Sequence, residues 1–391
     1  MSRLAADSEA SKGRLLPEAA SPTRTPFQRD RDRIVHSSAF RRLAHKTQVF
    51  VHHEGDHFRT RLTHTIEVAQ LARALARPFG LDADLAEAVA LGHDLGHTPF
   101  GHAGEDALDA CLAGQGGFDH NSHGLKIVTE LERHYAEFDG LNLAWETLEG
   151  LVKHNGPLLD AEGAPAARWR ANGIPEPIRA FDRRWPLALD QWPSLEAQAA
   201  ALADDIAYNA HDIDDGLRAG LFTLEEIRAV PYLAALIEEI ENRYPDLEDS
   251  RKVHELSRRV ITRFVEDALD ETSARLASDR VETAGDARRA GRAMVAFSQG
   301  MAAGERDIKA FLFQRMYRHP QVNQMRADSD RIVRALFSAY VERPQEATPF
   351  WRARGEKIGR ARAAAEYVAG MTDRFALGEY RRLFDPAARL G

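Results

Sequence analysis

The sequence has a single cysteine, Cys111, among its 391 residues. One thiol can build neither an intrachain disulfide nor a cysteine-rich zinc site, and such usage fits a reducing compartment. No apolar run reaches the roughly 18 residues that would cross a bilayer. Residues 1–24 lack the apolar segment of a secretory signal. We therefore expect a cytoplasmic protein with no membrane partner.

The chain also lacks an excess of basic charge. Acidic residues outnumber basic ones by 60 to 52, and the formal net charge is −8. This balance argues against a protein that coats nucleic acid through its general field, although a local basic groove stays open. There is no Gly-x-x-x-x-Gly-Lys-Ser/Thr loop, which disfavours ATPase or GTPase chemistry of the P-loop type.

What the chain does have is helical periodicity. Apolar residues spaced by three and four predict an amphipathic helix that contains Leu62, Ile66, Ala69, Leu71 and Leu75. A second helix is predicted from about Asp82 to Asp94, ended by Gly96 and Pro99. Further helices are predicted over 103–112, 122–136, 141–153, 195–219, 223–242, 249–276, 306–317, 327–341 and 354–382. Strand-like alternation is scarce, so the predicted fold class is all-α.

Two segments depart from this pattern. Residues 1–26 are rich in Ala, Ser, Pro and charge, and this composition predicts disorder. Residues 155–193 hold six of the 17 prolines and three tryptophans. So long a loop in a compact protein is usually functional or flexible. A lid or pocket wall and a surface excursion are both open interpretations of it.

Histidine is concentrated in one part of the chain, because 12 of the 16 histidines lie between positions 36 and 134. The densest segment begins with His93-Asp94. Adjacent side chains diverge on a helix, but at a helix C-terminus such a pair can converge on one ion as the backbone leaves helical geometry. Imidazole and carboxylate together suit Mn, Fe or Zn and, with fewer nitrogens, Mg.

A divalent ion needs further ligands, and two segments offer them. His64 lies on the helix before His93. Asp204, Tyr208 and Asp212 are spaced by four residues and line one face of a later helix. Asp205 points about a hundred degrees away from Asp204 on such a helix. The aligned face therefore favours Asp204 as the fourth ligand.

The motifs resemble those of the HD-domain dNTP triphosphohydrolases, the deoxyguanosine triphosphate triphosphohydrolase-like family. The resemblance extends from Arg24 to about Tyr340 and rests on the stretches Arg24–Ile34, Phe40–Val49, Arg61–Val68, His93–Glu105 and Asp204–Gly216. It implies an HD-superfamily helical domain with additional C-terminal helices. Residues 27–220 would form the catalytic core, including the proline-rich insertion. Residues 221–391 would complete the substrate pocket and the oligomer contacts.

The resemblance also implies a chemistry. The metal ligands would be His64, His93, Asp94 and Asp204. Mg²⁺ or Mn²⁺ would be the cofactor, with other transition metals as alternatives. The reaction would be hydrolysis of a dNTP, dGTP or several dNTPs, at the α-phosphorus, giving a deoxynucleoside and tripolyphosphate.

Proton transfer is implied for the histidines that follow the metal ligands. His102 is the first candidate for the acid that protonates the leaving oxygen, and Glu105, three residues later, could orient it and favour its charged form. His120 is the second candidate. For His97, direct catalysis and a structural role are both open interpretations.

Substrate contacts are implied as well. Gln48 and Asp212 would meet the sugar 3′-hydroxyl, and Tyr208 would stack on the deoxyribose and exclude a 2′-hydroxyl. Phosphates would be held by Arg61 and Lys309, and Lys153 and His154 could join them. Tyr317 would lie near the nucleoside, while for both tyrosines an ordinary core position is the alternative.

The stretch Arg24–Lys46 is rich in arginine. It could bind nucleotide phosphates, as for an activating dNTP at a subunit interface, or follow single-stranded DNA. It could also be a helix whose charges pair across subunits, since the family forms ring-like homo-oligomers, often hexamers.

Two functions compete with the dNTP assignment. They are another HD phosphohydrolase activity (a 5′-nucleotidase or phosphodiesterase) and a regulatory protein that binds nucleotides or single-stranded DNA.

Overall fold

The computed structural model describes residues 2–48 and 59–390. Val49, at the end of one motif, lies outside these residues. The described residues contain no β-strand, only isolated bridges, so the predicted all-α class is confirmed. No helix in these two ranges is long and apolar enough to cross a membrane.

The described chain forms 18 α-helices, numbered in chain order. They are α1 Pro26–Val35, α2 Ser38–Arg42, α3 Arg61–Ala76, α4 Ala83–Gly92, α5 Gly101–Cys111, α6 His120–Lys126, α7 Trp145–Lys153, α8 Glu176–Arg184, α9 Leu195–Arg218, α10 Leu224–Ile227, α11 Pro231–Arg243, α12 Asp249–Ser278, α13 Ala284–Arg289, α14 Gln299–Leu312, α15 Pro320–Glu342, α16 Pro349–Ile358, α17 Arg360–Ala369 and α18 Asp373–Leu383. The π-helical turns Ile127–Leu131 and Phe313–Tyr317 continue α6 and α14.

Several predicted helices differ in extent from the observed ones, among them those predicted over 306–317 and 327–341, which begin earlier, at Gln299 and Pro320. The helix predicted over 122–136 begins at His120 and its π-helical continuation ends at Leu131. The helix predicted over 223–242 is divided before Pro231, whose ring nitrogen carries no donor and fits only the first turn of α11. The segment 354–382 contains parts of three helices, and Gly359 separates the first two with a φ of +90°.

Residues 2–25 are ordered and pack along the helical body, whereas composition predicts disorder. Ala6 is buried, and its amide donates to Glu196 Oε1 at 2.9 Å. Arg14 Nη1 lies 2.5 Å from the buried Asp30 Oδ1. Composition predicts disorder because the segment has few large apolar residues. Its order depends instead on small side chains and on polar partners far away in sequence.

The described residues form two hydrophobic cores, and the larger surrounds α3, which packs against α4 and α9. Helix α12 packs on α9, and α11 packs on α12. On α3 the buried side chains include Val68, Leu71 and Leu75, whereas Ile66 is 51% exposed. The predicted apolar stripe was therefore wrong at Ile66, which lies on the outer face of the helix.

The second core joins α5 to the end of the chain. Leu108 on α5 and Leu112 directly after it are buried against Leu336 of α15 and Val368 of α17. The region after residue 220 is thus divided between the two cores, since α11, α12 and α14 belong to the first. Helix α5 is packed by C-terminal helices while its first turn faces the histidine-rich segment.

The proline-rich insertion is partly integrated into the body. It contains α8, and Ile178, Leu187 and Leu189 are buried. Trp145 Nε1 donates to the carbonyl of Pro186 at 2.8 Å. The insertion is therefore anchored at its second half rather than forming a free surface excursion.

Candidate metal centre and active site

Four side chains from α3, α9 and the segment that directly follows α4 meet at one point of the first core. His64 comes from the first turn of α3, His93 and Asp94 directly follow α4, and Asp204 lies in the middle of α9. His64 Nε2 is 2.9 Å from Asp204 Oδ1, and His93 Nε2 is 3.6 Å from the same oxygen. His93 Nε2 is also 3.4 Å from Asp94 Oδ1. Packing of α3 against α4 and α9 therefore creates the cluster.

The residues in this cluster fit a divalent cation. Ligand atoms of His64, His93 and Asp94 lie within 4.8 Å of one another. His93 Nε2 is buried and makes no hydrogen bond of normal geometry with any residue that the structure describes. A buried nitrogen without a partner costs free energy that a bound ion would recover. Two imidazole nitrogens and two carboxylates form the mixed donor set that first-row divalent metals accept.

The structure separates the two adjacent aspartates of α9. Asp204 faces His64 and His93, while Asp205 Oδ1 lies 2.9 Å from Lys309 Nζ. The difference follows from the angle of about 100° between successive residues on a helix. The aspartate that belongs to the cluster is Asp204.

Opposite charges dominate the electrostatics of the cluster. Burial would raise the pKa of Asp94, but Arg61, His93 and His97 hold it well below its usual range. Burial would lower the pKa of His93, but the Asp94 and Asp204 carboxylates raise it to about 9. The site thus favours a positive charge between its two carboxylates, whether a proton or a metal ion supplies it.

Behind His64 lies a hydrogen-bonded chain that sequence reasoning missed. His64 Nδ1 is 3.2 Å from His211 Nδ1, and His211 Nε2 is 2.7 Å from Glu67 Oε2. A signal existed in the spacing, because Glu67 follows His64 by one helical turn and His211 follows Asp204 by two. Carboxylates and histidines behind a metal-binding imidazole orient its ring and select its tautomer.

A second cluster is centred on Glu105. Its two oxygens contact His120 Nδ1 at 2.7 Å and His102 Nδ1 at 3.1 Å. The His97 ring stacks on the His120 ring, with centroids 4.0 Å apart, and His97 Nε2 lies 3.1 Å from Asp94 Oδ1. His97 therefore connects the two clusters. The His102 side chain is 60% exposed and is accessible to a substrate.

Glycine permits this arrangement of histidines. A Cβ on Gly96 would lie 1.9 Å from the carbonyl oxygen of His120, so only glycine allows the two backbones to approach. A Cβ on Gly104 would lie 2.1 Å from the carbonyl oxygen of Pro99. Phe100 and Gly101 both have positive φ and begin α5 with a sharp turn. The turn brings His102 and Glu105 back over the segment that follows α4.

Tyr208, Asp212 and Tyr317, three of the residues predicted to contact the sugar or nucleoside, form a connected wall. Tyr317 donates its hydroxyl hydrogen to Asp212 Oδ2, and its oxygen also contacts the Tyr208 hydroxyl. The two tyrosine rings are parallel within 4°, with centroids 6.3 Å apart. Burial raises the pKa of Asp212 to about 8. Gln48 Oε1 is buried and has no hydrogen-bond partner in the described chain.

Two of the cations predicted to hold phosphates are paired with carboxylates in the structure. Arg61 is buried and donates to Asp94 Oδ2 at 2.9 Å. Lys309 lies between Asp205 at 2.9 Å and Glu305 at 2.5 Å.

Lys153 departs from the prediction, because the structure does not bring it to the metal cluster. It is fully buried, pairs with Glu149 at 3.1 Å and donates to the carbonyl of Ala188 at 2.7 Å. Its neighbour His154 instead approaches the cluster, with its ring 6.5 Å from that of His93. Adjacent residues at a helix end point in different directions, so His154 can approach the cluster while Lys153 points away from it.

Several arginines of the basic stretch pair with carboxylates of the same chain. Arg33 Nη2 lies 2.7 Å from Glu18 Oε1, and Arg31 Nη1 lies 2.6 Å from Asp84 Oδ1. Arg24 pairs with Asp32 at 2.9 Å. These contacts need no second subunit, and they leave less free positive charge than the sequence indicates.

An all-α body with histidine and aspartate ligands from α3, the end of α4 and α9 defines a class of protein. The HD domain family matches residues 61–209, and the phosphohydrolase-associated domain family matches residues 295–382. The first match begins at the first residue of α3 and extends past Asp204. The chain is therefore an HD-domain protein of the phosphohydrolase class.

Full-length relatives narrow this class. A deoxyguanosinetriphosphate triphosphohydrolase-like protein of Brucella suis is 59% identical, over 96% of this chain and 93% of its own length. Similarly named proteins of Mesorhizobium japonicum and Nitrobacter hamburgensis are 56% and 55% identical, over 97% and 99% of this chain and 94% and 97% of their own lengths. The chain belongs to the deoxyguanosinetriphosphate triphosphohydrolase-like family.

Proposed function

We propose that this protein hydrolyses deoxynucleoside triphosphates, dGTP or several dNTPs, at the α-phosphorus. Water would attack the α-phosphorus, the bond to the sugar 5′-oxygen would break, and tripolyphosphate would leave intact. The observation that carries the proposal is the 3.1 Å contact between His97 and Asp94. It joins the cluster that fits a cation to the cluster that can supply a proton.

The metal ligands of the proposal are His64, His93, Asp94 and Asp204. A bound Mg²⁺ or Mn²⁺ would supply positive charge to the α-phosphate and help activate water. Asp94 and Asp204 are both held in the ionised form by their neighbours, so two negative charges are in place to bind the cation.

The leaving 5′-oxygen needs a proton, and His102 is the proposed donor. Its Nδ1 faces Glu105, which leaves Nε2 directed elsewhere and available to a substrate. Glu105 would hold the ring in that orientation. His120, bonded to the other Glu105 oxygen, is the second candidate, and the buried His97 would position both rings.

Preference for deoxyribose would come from the tyrosine wall. Tyr208 is held by Tyr317 and, through it, by Asp212. A ring fixed in this way would occupy the space that a 2′-hydroxyl needs. Gln48, whose amide oxygen has no partner in the described residues, would accept a hydrogen bond from the 3′-hydroxyl.

A second candidate is an HD phosphohydrolase that acts on monophosphates or phosphodiesters. It gains support from Arg61 and Lys309, since both are already neutralised by carboxylates. If Lys309→Ala left dNTP turnover unchanged, the triphosphate assignment would lose one of its contacts and this candidate would be favoured.

The deciding experiment is product analysis with four dNTPs and four NTPs, in Mg²⁺ and then in Mn²⁺. We expect deoxynucleoside and tripolyphosphate, and the best substrate would give the base preference. Monophosphate or diphosphate products would refute cleavage at the α-phosphorus. Turnover of dNTP mixtures but not of single dNTPs would indicate an activating nucleotide.

Assembly and location extend the proposal. A homo-oligomer, with a hexamer favoured, and a cytoplasmic location are consistent with nucleotide metabolism. Light scattering would give the oligomer size. Binding of single-stranded DNA without turnover in any metal would instead favour the regulatory nucleotide- or DNA-binding alternative.

A further inference from the structure

A cavity of about 580 Å³ lies between α2, α6 and the C-terminal helices α16, α17 and α18. Its volume is in the range that small organic ligands occupy. Among the described residues, none of the four proposed metal ligands lines it. The cavity is therefore a second concave site, distinct from the proposed active site.

One side of this cavity is aromatic. Trp351, Tyr367 and Phe375 all line it. Trp351 packs against Tyr367 with ring centroids 5.5 Å apart, while Phe375 is 47% exposed although it is large and apolar. Flat aromatic walls favour a flat aromatic occupant, which they contact by stacking or by their ring edges.

The other side of the cavity carries a cation, Arg42, that has no ion-pair partner among the described residues. Arg42 lines the cavity, makes no ion pair within the described chain, and has a buried Nε with no hydrogen-bond partner. The adjacent carboxylate, Glu132, is engaged by the amides of Ser38 and Ala39 and by His134. An unpaired guanidinium in a partly buried wall favours an anionic group on the occupant.

A neutral polar contact accompanies that charge. His123 lines the cavity and is only 3% exposed, and its Nε2 has no hydrogen-bond partner among the described residues. Burial, together with the nearby cations Lys46 and Lys126, holds the pKa of His123 well below its usual range. The ring is therefore neutral near pH 7 and offers one polar atom to a ligand.

The charge of the occupant is limited by the carboxylates. Glu366 also lines the cavity but is neutralised by Lys126 and by Arg354 at 2.5 Å. Arg133 reaches only the rim, where its side chain is 61% exposed. Arg42, a half-buried cation of the cavity wall, can balance one negative charge but not a triphosphate, which would need several cations.

We propose that this cavity binds an aromatic organic acid with a single negative charge. Arg42 holds the acid group, and Trp351, Tyr367 and Phe375 hold the aromatic body. The site is separate from the proposed hydrolysis of dNTPs and does not depend on it.

Two fluorescent probes test this proposal on the full-length protein. Anilinonaphthalene sulfonate has one sulfonate on an aromatic body, and phenylnaphthylamine is its analogue without the sulfonate. We expect one sulfonate probe per chain. Arg42→Gln should weaken binding of the sulfonate probe by about tenfold or more, the range expected for loss of a charge-assisted contact. The affinity for the neutral probe should stay unchanged.

Matched variants separate this site from nonspecific apolar binding. Arg41→Gln changes the adjacent exposed arginine, which donates to the His36 carbonyl, and should alter neither probe. Phe375→Ala removes an exposed ring, so the fold should persist, and it should weaken both probes. Circular dichroism would verify each fold.

Three results would overturn the proposal. The first is equal binding of the two probes to the wild type, and the second is equal effects of Arg41→Gln and Arg42→Gln. The third is displacement of the sulfonate probe by dGTP with an affinity that Arg42→Gln abolishes, which would identify a polyanion site.

Discussion

His64 and His211 face each other through their Nδ1 atoms, which lie 3.2 Å apart. His211 Nε2 faces Glu67, which as a carboxylate can only accept a hydrogen bond, so Nε2 carries the proton of a neutral His211 ring. His211 Nδ1 is then an acceptor, and His64 Nδ1 must donate to it. This chain leaves the lone pair of His64 Nε2 directed at Asp204 and at any bound cation.

Removal of Glu67 should therefore weaken metal binding. We expect Glu67→Ala to lower the affinity for Mn²⁺ by about 10- to 100-fold, the range for loss of a partner behind a metal ligand. Glu67→Gln keeps an acceptor and should have a smaller effect. Equilibrium dialysis measures the affinity. Glu87→Gln, which changes a carboxylate that pairs with Arg31 and Arg73, is the control. An affinity equal to that of the wild type in Glu67→Ala would show that the chain does not orient His64.

The two aspartates of α9 should differ in their effect. Asp204→Asn should abolish turnover and lower the bound metal without unfolding the chain, as should His93→Ala and Asp94→Ala. Asp205→Asn should retain bound metal, because Asp205 contacts Lys309 rather than the cluster. Calorimetric titration with Mn²⁺ and a turnover assay give the two readouts. The opposite order at positions 204 and 205 would contradict the ligand assignment.

Glu105 should act on catalysis rather than on substrate binding. It holds both His102 and His120, and its own carboxylate is kept ionised since those contacts lower its pKa against the effect of burial. We expect Glu105→Gln to reduce kcat by about 10²- to 10⁴-fold, as for loss of general acid catalysis, with a small change in KM. The neighbouring exposed Asp106, changed to Asn, is the control. A change confined to KM would argue for a substrate-binding role instead.

Stability should depend on pH through Asp212. Burial raises the pKa of Asp212 to about 8, against about 3.9 in an unfolded chain. Between these values the folded chain holds a proton that the unfolded chain has released. The free energy of unfolding therefore falls as pH rises, by at most about 1.4 kcal/mol per unit, and levels off above about pH 8.

Asp212→Asn should remove that part of the slope. Urea unfolding at several values between pH 5 and pH 9, with a chelator present, measures it. Relative to the wild type, the variant should become steadily more stable as pH rises to about 8. Asp214→Asn is the control: burial would raise the pKa of Asp214, but Arg59 and Arg218 lower it, so its contribution is constant in this range. Parallel slopes for wild type and Asp212→Asn would contradict the assignment.

Helix periodicity and helix faces account for what could be predicted locally. The amphipathic patterns placed most helices, and the angular separation of Asp204 from Asp205 followed from helix geometry alone. The errors lie where tertiary contacts act over long distances. Ile66 is exposed although it fits the pattern, and residues 2–25 are ordered by partners such as Glu196 and Asp30 that composition does not reveal.

The sequence by itself determined which residue types could bind a cation and on which helix face each would stand, because these depend on side-chain chemistry and on 3.6 residues per turn. Only the tertiary structure decided which of them meet. It placed Glu67 and His211 behind His64, turned Lys153 into an internal ion pair, and neutralised Arg61 and Lys309 with carboxylates. Such partnerships depend on how α3, α4 and α9 pack, and no single helix contains that information.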